Sequence, residues 1–163
     1  MFKKVLYPTD FSDCATKALE YVKKLREAGT EEVVLVHVID VREIETMATG
    51  VAELGMTTAE YEEALQKKMR DGAERKLELI KEELKSVGLK VSVKTPEGIP
   101  FKKILRIAED EDVSLIVLGS HGKSNIREML LGSVSEKVVR GSKRPVLVIK
   151  RETTIMWLSL IHI

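Results

Sequence analysis

The sequence predicts an α/β fold: an open parallel sheet with helices on both faces. Three observations support it. Short apolar runs rich in β-branched residues recur along the chain, segments of helical period alternate with them, and two of the runs end in Pro8-Thr9-Asp10 and Gly119-Ser120-His121-Gly122. Strands covered on both faces read as continuous apolar runs. Strictly alternating strands and helices imply right-handed crossovers within one sheet.

Residues 3–8, Lys3-Lys4-Val5-Leu6-Tyr7-Pro8, read as the first strand, and Ser12-Asp13 then cap a helix running to about Ala28-Gly29. Residues 31–38, with Val33-Val34-Leu35-Val36, form the second strand. Residues 41–58 show scattered Met, Gly and Thr without a clean period, and read as a long, partly helical, mobile connection. Tyr61, Leu65, Met69, Ala73, Leu77, Ile80, Leu84 and Val87 recur every three or four residues, so 59–87 is a long amphipathic helix, with Gly72 marking a point of bending and Gly88 its end. A third strand spans 89–94. Pro100 opens a helix to about Asp110 whose inner face carries Ile104, Ile107 and Ala108. A fourth strand covers 113–118, a further helix begins at Ser133, and 145–149 is the fifth strand.

At 163 residues and 44% hydrophobic, the chain suits one domain with a real core. The 27 Lys and Arg against 26 Asp and Glu leave a net charge of +1, so bulk electrostatics give no reason to expect a nucleic-acid partner. The lone cysteine, Cys14, cannot form an intrachain disulfide, and the chain opens on a charged strand rather than a signal peptide, so a cytoplasmic address is expected. Residues 152–163 carry the apolar stretch Ile155 to Ile163. That is too short for the ~20 residues that span a bilayer, so no membrane partner is expected. The stretch reads either as an extension foreign to the natural chain or as a strand or anchor packed on a partner subunit.

The candidate site is the glycine loop after the fourth strand. Without Cβ atoms, Gly119, Gly122 and Gly132 can take positive φ and bring backbone N–H groups close to an anion. Ser133 followed by Glu136 has capping-box spacing at a helix N-terminus, where a phosphate would bind. Two residues between Gly119 and Gly122, where a P-loop needs four, exclude that motif, and no GxGxxG dinucleotide fingerprint is present. In parallel sheets ligands bind at strand carboxyl ends by the topological switch point. Pro8-Thr9-Asp10 and the glycine loop would meet there if the first and fourth strands are neighbours.

With Gly119, Gly122, Gly132 and Ser133 fitting the pattern G-x2-G-x9-G-[ST], and with Pro8-Thr9-Asp10, Gly98-Ile99-Pro100 and Arg144-Pro145-Val146-Leu147-Val148 in place, residues 1–151 resemble the universal stress protein family, specifically its ATP-binding branch. The resemblance implies a Rossmann-like sheet of order 3-2-1-4-5, of the adenine nucleotide alpha hydrolase-like kind, binding ATP between strands one and four. By position, Pro8 would belong to the ATP site, Asp10 would accept from ribose hydroxyls, and Thr9 and Val38 would line the base and supply backbone contacts, with Leu118 as apolar wall. Gly119, His121, Gly122, Gly132, Ser133, Val134 and Ser135 would surround the phosphates. A Mg²⁺ ion would be held mainly by phosphate oxygens, with no protein metal site. The resemblance places residues 145–150 at a sheet edge, where a homodimer is expected.

Several residues read two ways. Asp10 either binds ligand or caps the first helix, and His121 contacts a phosphate, accepts a proton or bonds within its loop. His37 reads as structural, Cys14 as a small packed residue, and Lys123 and Arg127 as phosphate neutralisers or solvated side chains. Two functional readings follow: a nucleotide-dependent regulatory or stress-response module, or a slow Mg²⁺-dependent ATPase. No catalytic residue is assigned, and a nucleotide-free interaction module fits the intact glycine pattern least.

Overall fold

The computed structural model describes residues 1–49, 55–122 and 131–151. Five parallel strands make the main sheet: β1 (Lys4–Pro8), β2 (Glu32–Val36), β4 (Lys90–Lys94), β6 (Leu115–Gly119) and β7 (Val146–Ile149), in the order β4-β2-β1-β6-β7. This is the expected 3-2-1-4-5 order. The helices between them are α1 (Asp13–Lys24), α2 (Val41–Ala48), α3 (Thr58–Ser86), α4 (Pro100–Asp110) and α5 (Ser133–Gly141).

Strand alternation divides the core into two layers. Val5, Tyr7, Val33, Leu35, Leu115 and Val117 face one way and pack with Ala18, Leu19 and Val22 of α1 and Ala73, Leu77 and Leu84 of α3. Leu6, Val34, Val36, Ile116 and Leu118 face the other way, against Ile104, Ile107 and Ala108 of α4 and Val138 of α5. Burial pushes the Tyr7 phenol above its ordinary pKa, and its hydroxyl donates to Ala15 O at 2.6 Å.

The connection over 41–58 holds more structure than its sequence pattern predicts. Asp40 caps α2, its Oδ1 accepting from Arg42 N at 3.0 Å, and a two-residue ladder pairs β3 (Ile39–Asp40) with β5 (Glu97–Gly98). Thr57 and Glu60 then form a reciprocal capping box at the start of α3. Residues 50–54 lie outside the described residues, as does the apolar tail. Helix α1 starts on Ser12 as expected but ends at Lys24, after which turns lead to Gly29 at φ 100°. Helix α3 is one continuous element through Gly72.

Glu111, at the end of α4, links two strands. Its carboxylate meets Lys4 Nζ at 2.9 Å and Lys94 Nζ at 3.0 Å. The Lys4 bond first, then Lys94, holds the Glu111 carboxyl below its ordinary pKa. A carboxyl depressed on folding binds fewer protons in the native state. Its stabilisation is therefore complete above the unfolded value of about 4.3 and is lost as pH falls through the lower folded value. Glu111→Gln is expected to cost the same stability at pH 6 and pH 8 and progressively less below pH 4. Urea titrations of both proteins across that range check this.

Candidate functional site

The cleft has a simple cause in strand register. β1 and β2 stay paired as far as Pro8↔Val36, whereas β1 and β6 pair only through Val5↔Leu115 and Leu6↔Ile116. Beyond Leu6 and Ile116 the two strands part, at the point where the strand order reverses, which is where doubly wound sheets hold ligands. A cavity of about 300 Å³ opens there. Pro8, Thr9 and Asp10 line it from β1, Val38 from beyond β2, and Leu118, Gly119, His121 and Gly122 from β6. Gly132, Ser133, Val134 and Ser135 line it from the start of α5, so the twelve residues that the resemblance assigns to the nucleotide all reach this one cavity.

The loop after β1 is tied by its own side chains. Asp10 Oδ1 accepts from Ser12 N at 3.0 Å, an Asx turn, and Thr9 Oγ1 accepts from Phe11 N at 3.1 Å, with Phe11 held at φ 64°. The cap of α1 is Ser12, whose hydroxyl accepts from Ala15 N, so Asp10 is not the helix cap. Thr9 O accepts from His37 Nδ1 at 2.8 Å, and the His37 ring lies 4.6 Å from that of Phe11. His37 thereby supports the loop, in addition to lining the cavity.

Val38 presents backbone to the cleft. Thr9 N donates to Val36 O on the β1 side, whereas His37 N and Ile39 N donate to Lys94 O and Pro96 O on the other. Alternation along the extended chain turns the Val38 N–H and C=O to the β1 side, past the end of β1 at Pro8. A donor and an acceptor side by side match the edge of a planar heterocycle.

None of the three loop glycines uses the positive φ open to it. Close approach is what they supply. A Cβ on Gly119 would sit 2.9 Å from both the carbonyl carbon and Sγ of Cys14, so Gly119 lets β6 pack on α1. A Cβ on Gly122 would meet Asp10 Oδ2 at 2.6 Å, and one on Gly132 would meet His121 Cα and Ser120 O at 3.3 Å. Ser133 also departs from expectation. Gly132 is the N-cap, extended at φ −70° and ψ 166°, with its N–H on Ser120 O, and no side chain caps α5. The Ser135 hydroxyl donates to Gly119 O at 2.7 Å and so braces the loop. Lys123 and Arg127 lie outside the described residues.

Among the helix starts at the cavity, those of α2 and α5 differ electrostatically. The N-terminus of α2 is occupied by the Asp40 carboxylate, which also takes Arg42 Nε at 2.9 Å and Nη2 at 2.7 Å. That of α5 has no side-chain cap among the described residues, which presents its first N–H groups and dipole to the cavity. Asp40, Arg42, Glu43, Met69, Pro100 and Ile104 also line the cavity and escaped the sequence reading. The signal for the first group was Asp40 followed three residues later by Glu43, the spacing of a helix start.

The model of the universal stress protein family matches residues 1–150. The chain belongs to the universal stress protein family. Universal stress protein MJ0577 of Methanocaldococcus jannaschii is 48% identical over 159 residues, covering 94% of this chain and 98% of its own. The solved structure of MJ0577 superposes with a TM-score of 0.83 at 47% identity, covering 94% of this chain and 99% of that one. A universal stress protein in complex with cAMP (TM-score 0.60, 21% identity, 91% of this chain and 97% of that one) shares the fold. So does one from Archaeoglobus fulgidus in complex with dAMP (TM-score 0.58, 23% identity, 92% and 98%). No helix among the described residues of this family member is long and apolar enough to cross a membrane.

Because Gly119 serves packing, Gly119→Ala is expected to destabilise the fold by about 1–3 kcal/mol, the usual cost of overpacking. Chemical denaturation of the two proteins measures it.

Proposed function

We propose that this universal stress protein binds ATP in the cleft and acts as a nucleotide-dependent regulatory or stress-response module in the cytoplasm. The observation that carries the reading is the polarity of the cavity. The unplugged α5 N-terminus, walled by Gly122 and Gly132, suits phosphates, and the Val38 backbone edge across the cleft suits an adenine. Asp10, fixed through Oδ1 and close to Gly122 through Oδ2, stands where a ribose would pass. The cAMP and dAMP complexes of distant fold relatives agree in ligand class only.

Magnesium fits this arrangement as a companion of the phosphates. Among the described residues no three His, Cys, Asp or Glu side chains gather as a metal site. The ion, when bound, would neutralise phosphate charge and take its hard oxygen ligands chiefly from phosphate and water. A second reading, a slow Mg²⁺-dependent ATPase, has in its favour His121, an imidazole lining the cavity.

A homodimer through β7 belongs to the same proposal. β7 is a sheet edge with Leu147 exposed and Val146 and Val148 half-buried, and Val139 of α5 is exposed as well. Antiparallel pairing of two such strands across a two-fold axis would satisfy the edge and bury these side chains.

Calorimetry with MgATP tests the binding reading. Gly132→Val is expected to abolish binding, because its side chain must displace the loop at Ser120 and His121. A folded Gly132→Val protein with unchanged affinity overturns the assignment. Asp10→Ala is expected to weaken binding by about 1–3 kcal/mol, the scale of lost hydrogen bonds to a charged acceptor. Val148→Pro removes a backbone donor and apolar contact from the edge, and light scattering should show its mass shifting from dimer toward monomer.

A further inference from the structure

Ser120 is almost fully buried, at 1% exposure, and among the described residues its hydroxyl oxygen has three neighbours: Arg151 N at 3.1 Å, His121 Nδ1 at 2.8 Å and Cys14 Sγ at 3.6 Å. Proton bookkeeping fixes the direction of these contacts. The Arg151 peptide N–H can only donate, so Ser120 Oγ accepts from it. Cys14 has one proton, and its Sγ donates to Ile149 O at 3.3 Å, a carbonyl that also takes Ser120 N at 2.8 Å. The single Ser120 proton then chooses between a thiol sulfur, a weak acceptor at 3.6 Å, and an imidazole nitrogen at 2.8 Å. The nitrogen is much the better acceptor.

We infer that Ser120 is a positioning residue that holds neutral His121 in the Nε2–H tautomer, making its imidazole a hydrogen-bond donor to the nucleotide phosphates and not a base. With Nδ1 accepting from Ser120, the ring's one proton sits on Nε2. Whatever Nε2 meets, it meets as a donor. Such an imidazole can hold a phosphate oxygen but cannot take a proton from an attacking water, and this favours ATP binding over hydrolysis at the cleft. The tautomer assignment stands on the hydrogen bonds alone; the phosphate role rests on the proposed ATP site.

The same serine ties His121 to the chain beyond β7, since its N–H and Oγ hold Ile149 O and Arg151 N respectively. The buried partners explain why a serine, with one rotatable proton and two lone pairs, suits position 120.

Long-range ¹H–¹⁵N NMR of the full chain with ¹⁵N-labelled histidine, at a pH where the ring is neutral, reads the tautomer of His121 directly. His121→Gln assigns the resonance. The Nε2–H form is expected in the wild-type protein, and Ser120→Ala is expected to return the ring to a mixture of tautomers and to weaken MgATP binding about threefold to tenfold, the scale of one hydrogen bond. A wild-type ring in the Nδ1–H form, or a folded Ser120→Ala protein with the tautomer unchanged, overturns the inference. If Ser120→Ala does not fold, the wild-type spectrum alone decides. A wild-type protein with the expected tautomer and no affinity for MgATP in calorimetry overturns the ATP site and leaves the tautomer assignment standing. Phosphate release at burst-free, multiple-turnover rates that His121→Gln abolishes would overturn the donor role.

Discussion

The short pairing between β1 and β6 is the constraint on which the site depends. Two residue pairs hold these neighbours together, against five between β1 and β2. Backbone groups of the parting strands must then find other partners, because buried polar groups left unpaired are costly. They do so through local devices: Pro8 has no N–H to satisfy, Gly119 O accepts from the Ser135 hydroxyl, and the Asp10 and Thr9 side chains take the loop amides. Parting of the strands makes the cavity, and these replacements give its walls their shape.

Buried serines and glycines carry this design more than charges do. Ser120 and Ser135 are both buried and both spend their hydroxyls on loop geometry, one on His121 and the other on Gly119 O. The charged groups at the rim are mostly self-contained, as with Arg42 against Asp40. An anion entering the cavity thus meets backbone dipoles already aligned, which cost no reorganisation on binding.

The five strands of the main sheet and the long helices between them were legible because each rests on a local pattern, and the twelve expected site residues because that pattern also carries the family resemblance. Val33 to Val36 announces a doubly covered strand, Tyr61 to Leu84 repeats with helical period, and the Gly119, Gly122, Gly132 spacing is fixed in number. What stayed hidden depends on distant partners. The β3–β5 ladder is two residues long on each side, too short for any period to appear. Helix α2 has only eight residues, and its Asp40 cap becomes visible as part of the cavity only once β2 places it there. The glycines offer freedom of φ, yet each answers to a neighbour far off in sequence: Cys14 for Gly119, Asp10 for Gly122, His121 for Gly132. Likewise Ser133 loses the cap position because Gly132 is drawn into extended geometry by Ser120 O.

The contact between Gly122 and Asp10 has an evolutionary side. Among the described residues, a methyl group at 122 strikes the Asp10 carboxylate and nothing else within 4 Å. The sheet, the helices and both core layers would hardly register the change. One codon step could therefore displace the carboxylate from the cleft, and with it the proposed nucleotide site, while the main sheet persists. Position 119 offers no such step, because there the first atoms struck are the backbone and sulfur of Cys14. Within one glycine motif, then, one position answers to the packing of the fold and another only to a side chain in the cleft, and drift in descendants of this chain should be freer at the second than at the first.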